Sequence, residues 1–272
     1  METLQIGTVT KQVPSTWNEL RRRQLLAVLV EVYSAPRRGR RLRLLKLVTG
    51  FPLPQLATLP HVLLAQLLPL ADFVDSTDHL LTEQLLPTLK IAGRHVTERP
   101  STWHGPRGHL ENLLFGEFIF ADTFFVLYTL HGLETYLDQF LTVLYRPARR
   151  GASPADADWN GDVRVAFNEH QLETRTPRVA PVSAIEKLAV LTWYKGCRAE
   201  LAQEFPDVFV EAEETSAAAA AAAGPPDWSR VLRRLSGGPF GVVSQTAGQP
   251  LRLVLAEMQD LATKPQAPRP HA

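Results

Sequence analysis

Between Leu113 and Leu130 the chain runs almost without interruption through apolar residues, and two carboxylates, Glu117 and Asp122, sit inside that run. The stretch has nearly the length of a membrane span, but each acid would cost several kcal/mol in lipid. It therefore reads as a helix buried in a protein core, which obliges the fold to cover it and to neutralise two charges. At about 100° per residue the two acids project roughly 140° apart, so they do not make one close pair. Glu111 shares the face of Asp122 but lies about 16 Å along the axis. Two separate buried ion pairs are expected, with Arg146, Arg164 or Arg175 supplying the cations. The competing chemistry is an acid of raised pKa with a carboxylate partner, as glycosidic or metal-dependent catalysis would use.

The rest of the chain supplies helices to pack around this one. The central helix, read over Leu110 to Leu130, stops at Gly132, where a left-handed cap is expected, and Glu134 to Tyr145 returns as the second arm of a helical hairpin. Upstream, Leu4, Ile6, Val9 and Val13 flank Gly7 as a short β-hairpin would. Thr16 and Glu19 have capping-box spacing before a helical period that reaches Tyr33. Arg40 to Val48 predicts a second, basic helix, Phe51-Pro52-Leu53-Pro54 breaks the pattern, and His61 to Phe73 predicts a third helix that Pro69 kinks or ends. Leu89-Lys90-Ile91 and Arg94-His95-Val96 around Ala92-Gly93 predict another hairpin.

Residues 149 to 181 are polar, proline-containing and aperiodic, and read as a long surface excursion. Pro181 opens a helix toward Phe205, with Gly196 as a possible bend. Residues 211 to 226 contain three acids, seven consecutive alanines and Gly-Pro-Pro, a low-complexity link with too little bulky apolar surface for a core. Beyond it, Trp228 to Leu235 and Pro250 to Leu261 read as two helices around the glycine-rich Ser236 to Gly241. The expected architecture is mainly α: an irregular helical bundle with one or two short β-hairpins over 1 to 210, the link over 211 to 226, and a tethered helical pair over 227 to 263. Residues 264 to 272 are expected to be a disordered tail.

The 272 residues are 45% hydrophobic and 21% charged, values of an ordinary globular chain. One cysteine, Cys197, excludes an internal disulfide and a cysteine-rich zinc site, and the first dozen residues lack the basic end and apolar stretch of a secretory signal. A cytoplasmic, membrane-free setting is expected. The net charge of +1 hides an asymmetry, because residues 1 to 50 hold ten Lys and Arg against three acids, and residues 51 to 145 hold four against ten. Part of the excess is Arg37, Arg38, Arg40, Arg41, Arg43 and Lys46, dense enough to contact phosphates but without interleaved aromatics. Nucleic-acid binding is one reading, and docking onto an acidic surface of this protein or of a partner is the other.

Asp156, Asp158, Asn160 and Asp162 alternate as the oxygen ligands of a calcium loop do. Counted from Asp158 the twelfth position is Glu169 but the sixth is Val163, and counted from Asp156 the sixth is Gly161 but the twelfth is Phe167. Each register fails at one defining place, and an Asx-rich turn is the ordinary reading. The eight histidines show no HExxH or paired helical spacing; His104 and His109, either side of Gly105-Pro106, are the closest approach to a ligand pair. Cys197 between Lys195 and Arg198 lacks a nearby histidine to activate it. No phosphate-binding loop, Rossmann glycine run or nucleophile elbow occurs, and no cofactor is implied.

Val13-Pro14-Ser15-Thr16-Trp17-Asn18-Glu19-Leu20, Gly116-Glu117-Phe118-Ile119-Phe120-Ala121-Asp122, Leu144-Tyr145-Arg146-Pro147, Gly161-Asp162-Val163-Arg164 and Trp193-Tyr194-Lys195-Gly196-Cys197-Arg198 resemble phrases in uncharacterised bacterial proteins of prophage and phage-tail-like gene clusters. The stretch Trp228 to Leu261 is similar to the helical ends of small tail-assembly proteins. The resemblance implies a non-enzymatic assembly or interaction role with a protein partner. The polyalanine link departs from that pattern. A metal-dependent enzyme using the acids of the central helix or the Asp-rich loop, and a nucleic-acid binder using Arg37 to Lys46, are the alternatives from other classes.

Overall fold

A computed structural model describes residues 1–35, 37–76, 80–91, 93, 99–151, 155, 159, 161–209 and 227–263. The fold is mainly α with two small antiparallel sheets, one of two strands and one of three. Among the described residues no helix is long and apolar enough to cross a membrane. The chain divides into two units, Met1–Leu86 with Ser183–Cys197, and Pro87–Val182 with Arg198–Ala272.

In the first unit, β1 (Glu2–Ile6) and β2 (Val9–Val13) form the expected hairpin, with Ile6 opposite Val9 and Leu4 opposite Lys11. Gly7 at φ 61° makes the turn, a conformation that costs glycine nothing. The following helix starts later than its capping-box spacing suggests. Thr16 makes no side-chain cap; instead the Glu19 carboxylate turns back to accept the Ser15 N–H at 2.8 Å, a single 3-10 turn forms over Trp17–Glu19, and α1 runs Arg22–Tyr33. The basic helix α2 (Arg40–Thr49) buries Leu44, Leu45 and Val48 between glycines at positive φ. The Phe51 to Pro54 break itself contains the start of a short helix, α3 (Leu53–Ala57), because Pro54 falls in its first turn, where no N–H is needed. α4 (His61–Leu67) gives way to a 3-10 stretch over Leu68–Val74, where Pro69 withholds the N–H that a continued α-helix would use. Leu45, Phe51, Leu56 and Leu67 pack as one apolar cluster.

The long helix α8 (Ala184–Glu204) contributes residues 184–197 to this unit. Ser183 holds its start, with Oγ accepting the Glu186 N–H and donating to the Glu186 carboxylate. Asn18 clips residues 82–83, its Oδ1 accepting the N–H groups of Thr82 and Glu83, while Trp193 Nε1 donates to the Thr82 carbonyl at 2.9 Å. Gly196 marks a close approach here: a Cβ at this position would lie 2.2 Å from the Leu81 carbonyl oxygen. Cys197 is fully buried, with Sγ 3.5 Å from the Thr82 oxygen.

In the second unit, β3 (Thr88–Ile91) pairs with β4 (Ser101–His104); the partner strand the sequence suggested, Arg94 to Val96, lies outside the described residues. β5 (Arg146–Pro147) adds a third strand beside β4. The central helix α5 runs Phe115–His131 and starts five residues later than its apolar pattern, because His109 and Leu110 take positive φ in a preceding 3-10 turn. Gly132 caps it at φ 65°, and α6 (Glu134–Leu144) completes the helical hairpin. The excursion is more structured than its composition suggests, since it buries Arg164 and contains α7 (Leu172–Val179), which packs on α6. Among the described residues the two expected C-terminal helices are present, α9 (Trp228–Leu235) and α11 (Leu251–Thr263), with a short α10 (Val243–Ala247) between them. They dock on α5. Phe115 N–H donates to the Gln249 carbonyl, Leu251 N–H donates to that of Leu113, and Gly116 admits Ala247, whose Cβ and carbonyl oxygen would both stand 3.1 Å from an added Cβ.

Candidate binding groove and its buried charges

Glu117 lies in the first turn of α5 and is 2% exposed. The helix N-terminus favours a negative charge there, and two guanidiniums complete the compensation. Arg146 Nη2 donates to Oε1 at 2.6 Å and Arg164 Nη2 donates to Oε2 at 3.1 Å. Arg146 spends its other donors on the carbonyls of Val143 and Val165, and Arg164 spends its own on the Leu144 carbonyl and both oxygens of Asp162. Burial pulls the Arg146 pKa down, and the Glu117 charge restores only part of it. Burial acts on Arg164 in the same direction, but Glu117 and Asp162 together leave it above its ordinary value. Asp162 is pushed up by burial and held below the ordinary carboxylate range by the Arg164 side chain and N–H and by Arg146. The result is a two-acid, two-base cluster whose polar atoms are aimed at one another.

Asp122 is fully buried on a different face of α5. Arg198 Nε donates to Oδ1 at 2.6 Å and Trp228 Nε1 donates to Oδ2 at 2.9 Å. The Trp228 ring stands edge-on to Phe115 and Phe118 and packs against Phe209, so one side chain both fills an aromatic cluster and satisfies an acid. Glu117 and Asp122 therefore have separate partners. Neither Arg198 nor Trp228 was marked by the sequence pattern as a partner for Asp122. The available clue was chemical: a fully buried carboxylate needs two donors, and Trp228 is an apolar residue with one N–H to place.

Of the Asp-rich candidates, Asp156, Asp158 and Asn160 lie outside the described residues; Asp162 faces Arg164, and Glu169 opens a 3-10 turn that ends at Gln171. Among the described residues no three His, Cys, Asp or Glu side chains converge as a metal site requires. His104 lies in β4, while His109 Nδ1 faces the Glu200 carboxylate at 2.8 and 2.9 Å and Arg252 donates to the His109 carbonyl. In the basic segment Arg40 makes a bidentate pair with Asp75, Arg41 reaches Asp72 at 3.0 Å, and Arg43 holds Glu31. Arg37, Arg38 and Lys46 are exposed. Half of that positive charge is thus neutralised within the first unit.

A groove of about 1400 Å³ lies in the second unit. One face of α5 forms a wall, with Ile119, Phe120 and Phe124, and residues 166–171, α9 and residues 242–248 form the rest. Phe120 stacks at 5.2 Å from Phe167 in a tilted geometry and at 6.5 Å from Phe124. Val242 and Val243 remain 61% and 48% exposed beside it. The Phe120 and Phe124 spacing of i, i+4 was visible in the sequence, but inside an all-apolar run it does not separate a lining face from a core face. Comparison with family models, with curated proteins and with solved structures gives no match.

Proposed function

We propose that this chain is a non-enzymatic interaction protein whose second unit receives the apolar face of a partner polypeptide in the Phe120 groove. The carrying observation is the groove itself: phenylalanine and valine side chains line it, and of the two acids among its lining residues Glu117 is committed to Arg146 and Arg164 while Glu169 is exposed. Sites for small molecules usually measure about 300–1,000 Å³. A groove larger than that, open along a helix, suits a segment of polypeptide laid in by residues at i, i+3, i+4 and i+7. The wider setting proposed is assembly of a prophage or phage-tail-like particle in the cytoplasm, supported by the resemblance of the quoted phrases and checked by co-purification with products of neighbouring genes.

Fluorescence anisotropy with a labelled amphipathic helical peptide bearing a leucine stripe tests the groove. Binding to the wild type and its loss in a Val242→Asp, Val243→Asp variant are expected, and both positions are exposed enough to be changed without unfolding. Equal binding by that variant, or none by the wild type, would overturn the reading.

A further inference from the structure

The helix α9 lends Ser229 and Leu232 to the groove and presents Arg230, Arg233 and Arg234 to solvent. At about 100° per residue Arg233 projects roughly 40° from Ser229, on the rim of the groove, with Arg230 and Arg234 farther round the exposed face. Arg146, Arg164, Arg198 and Arg252 of the same unit each hold a carboxylate. Among the described residues these three hold none. Arginines in a last helical turn favour the helix dipole, which accounts for Arg233 and Arg234 as structural charges but leaves their side chains unspent. Against them the groove itself offers one exposed acid, Glu169, with His170 beside it at 4.0 Å.

From this we infer that the occupant of the groove is a partner helix whose apolar stripe is flanked by aspartate or glutamate, and that Arg233, supported by Arg230 and Arg234, reads those acids. The inference rests on the proposed role of the groove. Guanidinium forks take carboxylates bidentately, and exposed charges of this kind set partner choice and encounter rate more than they set affinity.

Three synthetic peptides of about four helical turns, with one leucine stripe and flanks of glutamate, glutamine or lysine, separate the parts. The glutamate peptide is expected to bind the full chain about tenfold more tightly than the glutamine peptide, with the lysine peptide weakest. That advantage should shrink as salt is raised. The variant Arg230→Gln, Arg233→Gln, Arg234→Gln, shown by circular dichroism to melt as the wild type does, is expected to bind glutamate and glutamine peptides alike. If the glutamine peptide binds and the glutamate peptide is no tighter, or if the triple variant keeps the preference, the acidic partner is wrong while the groove stands. If none of the three binds, the groove reading falls and this inference with it. Two other occupants have their own arms: binding of phosphatidylglycerol vesicles in place of peptide, or a dimer in size-exclusion chromatography that excludes peptide, would overturn the proposal.

Discussion

Glu117→Gln keeps the shape of the side chain and removes its charge, leaving Arg146 and Arg164, at 1% and 3% exposure, with one acid between them. Breaking a buried pair from one side is costly, about 3–5 kcal/mol, because the remaining charge is stranded; urea unfolding monitored by circular dichroism should show a loss of that size. Asp162 adds a pH dependence. Its folded pKa is depressed, so its stabilisation is complete above the ordinary 3.8 and is lost as pH falls through the lowered folded value. Acid unfolding of Asp162→Asn should lack that part of the slope below about pH 4 while starting from a lower stability at neutral pH. The acids were legible from sequence because a charge inside an apolar run demands compensation. Their partners were not equally so. Arg146 and Arg164 stand close after the helical hairpin, whereas Arg198 meets Asp122 across 76 positions, a separation about which local pattern is silent.

Gly196 shows at the level of an element how packing reverses a propensity. In an open helix a glycine-to-alanine change gains about 1 kcal/mol, and the sequence suggested only a bend. The Leu81 carbonyl 2.2 Å from the would-be Cβ turns the sign, and Gly196→Ala is expected to destabilise the first unit by about 1–3 kcal/mol, read as a lower thermal midpoint. Trp228→Phe is the matching test for α9. It keeps most of the aromatic packing and deletes the N–H to Asp122, so a cost of about 1–3 kcal/mol should come with faster hydrogen exchange across residues 228–263. Helices with long apolar periods were readable, as α1, α2, α5, α6 and α8 show. α7 was not, because it is short, polar and holds Pro177, features that in sequence signal a loop. The pairing of β3 with Ser101–His104 was not legible, because Gly93 offered a local turn and the ladder closes across a longer connection.

For the molecule as a whole, mainly helical architecture followed from the apolar periods, but the grouping of elements did not. Each unit is assembled from two separated stretches of chain, and punctuation along a sequence marks links, not which distant stretches share a core. The groove was equally hidden, since its walls come from residues between 114 and 248 and only their assembly makes a concavity. Cys197 is the sole thiol of the chain and is fully buried, its Sγ beside the Thr82 carbonyl. A thiol-specific reagent therefore modifies only those molecules in which the packing around Cys197 has opened, one adduct per chain, and under fast-reclosing conditions the labelling rate measures the population of the open form. Labelling by dithionitrobenzoate should be slow in native buffer and should accelerate in Gly196→Ala about tenfold for each 1.4 kcal/mol of lost stability; equal rates would place the opening elsewhere. Evolution has left this protein a single-use chemical clock, already installed at the joint where Gly196 meets Leu81.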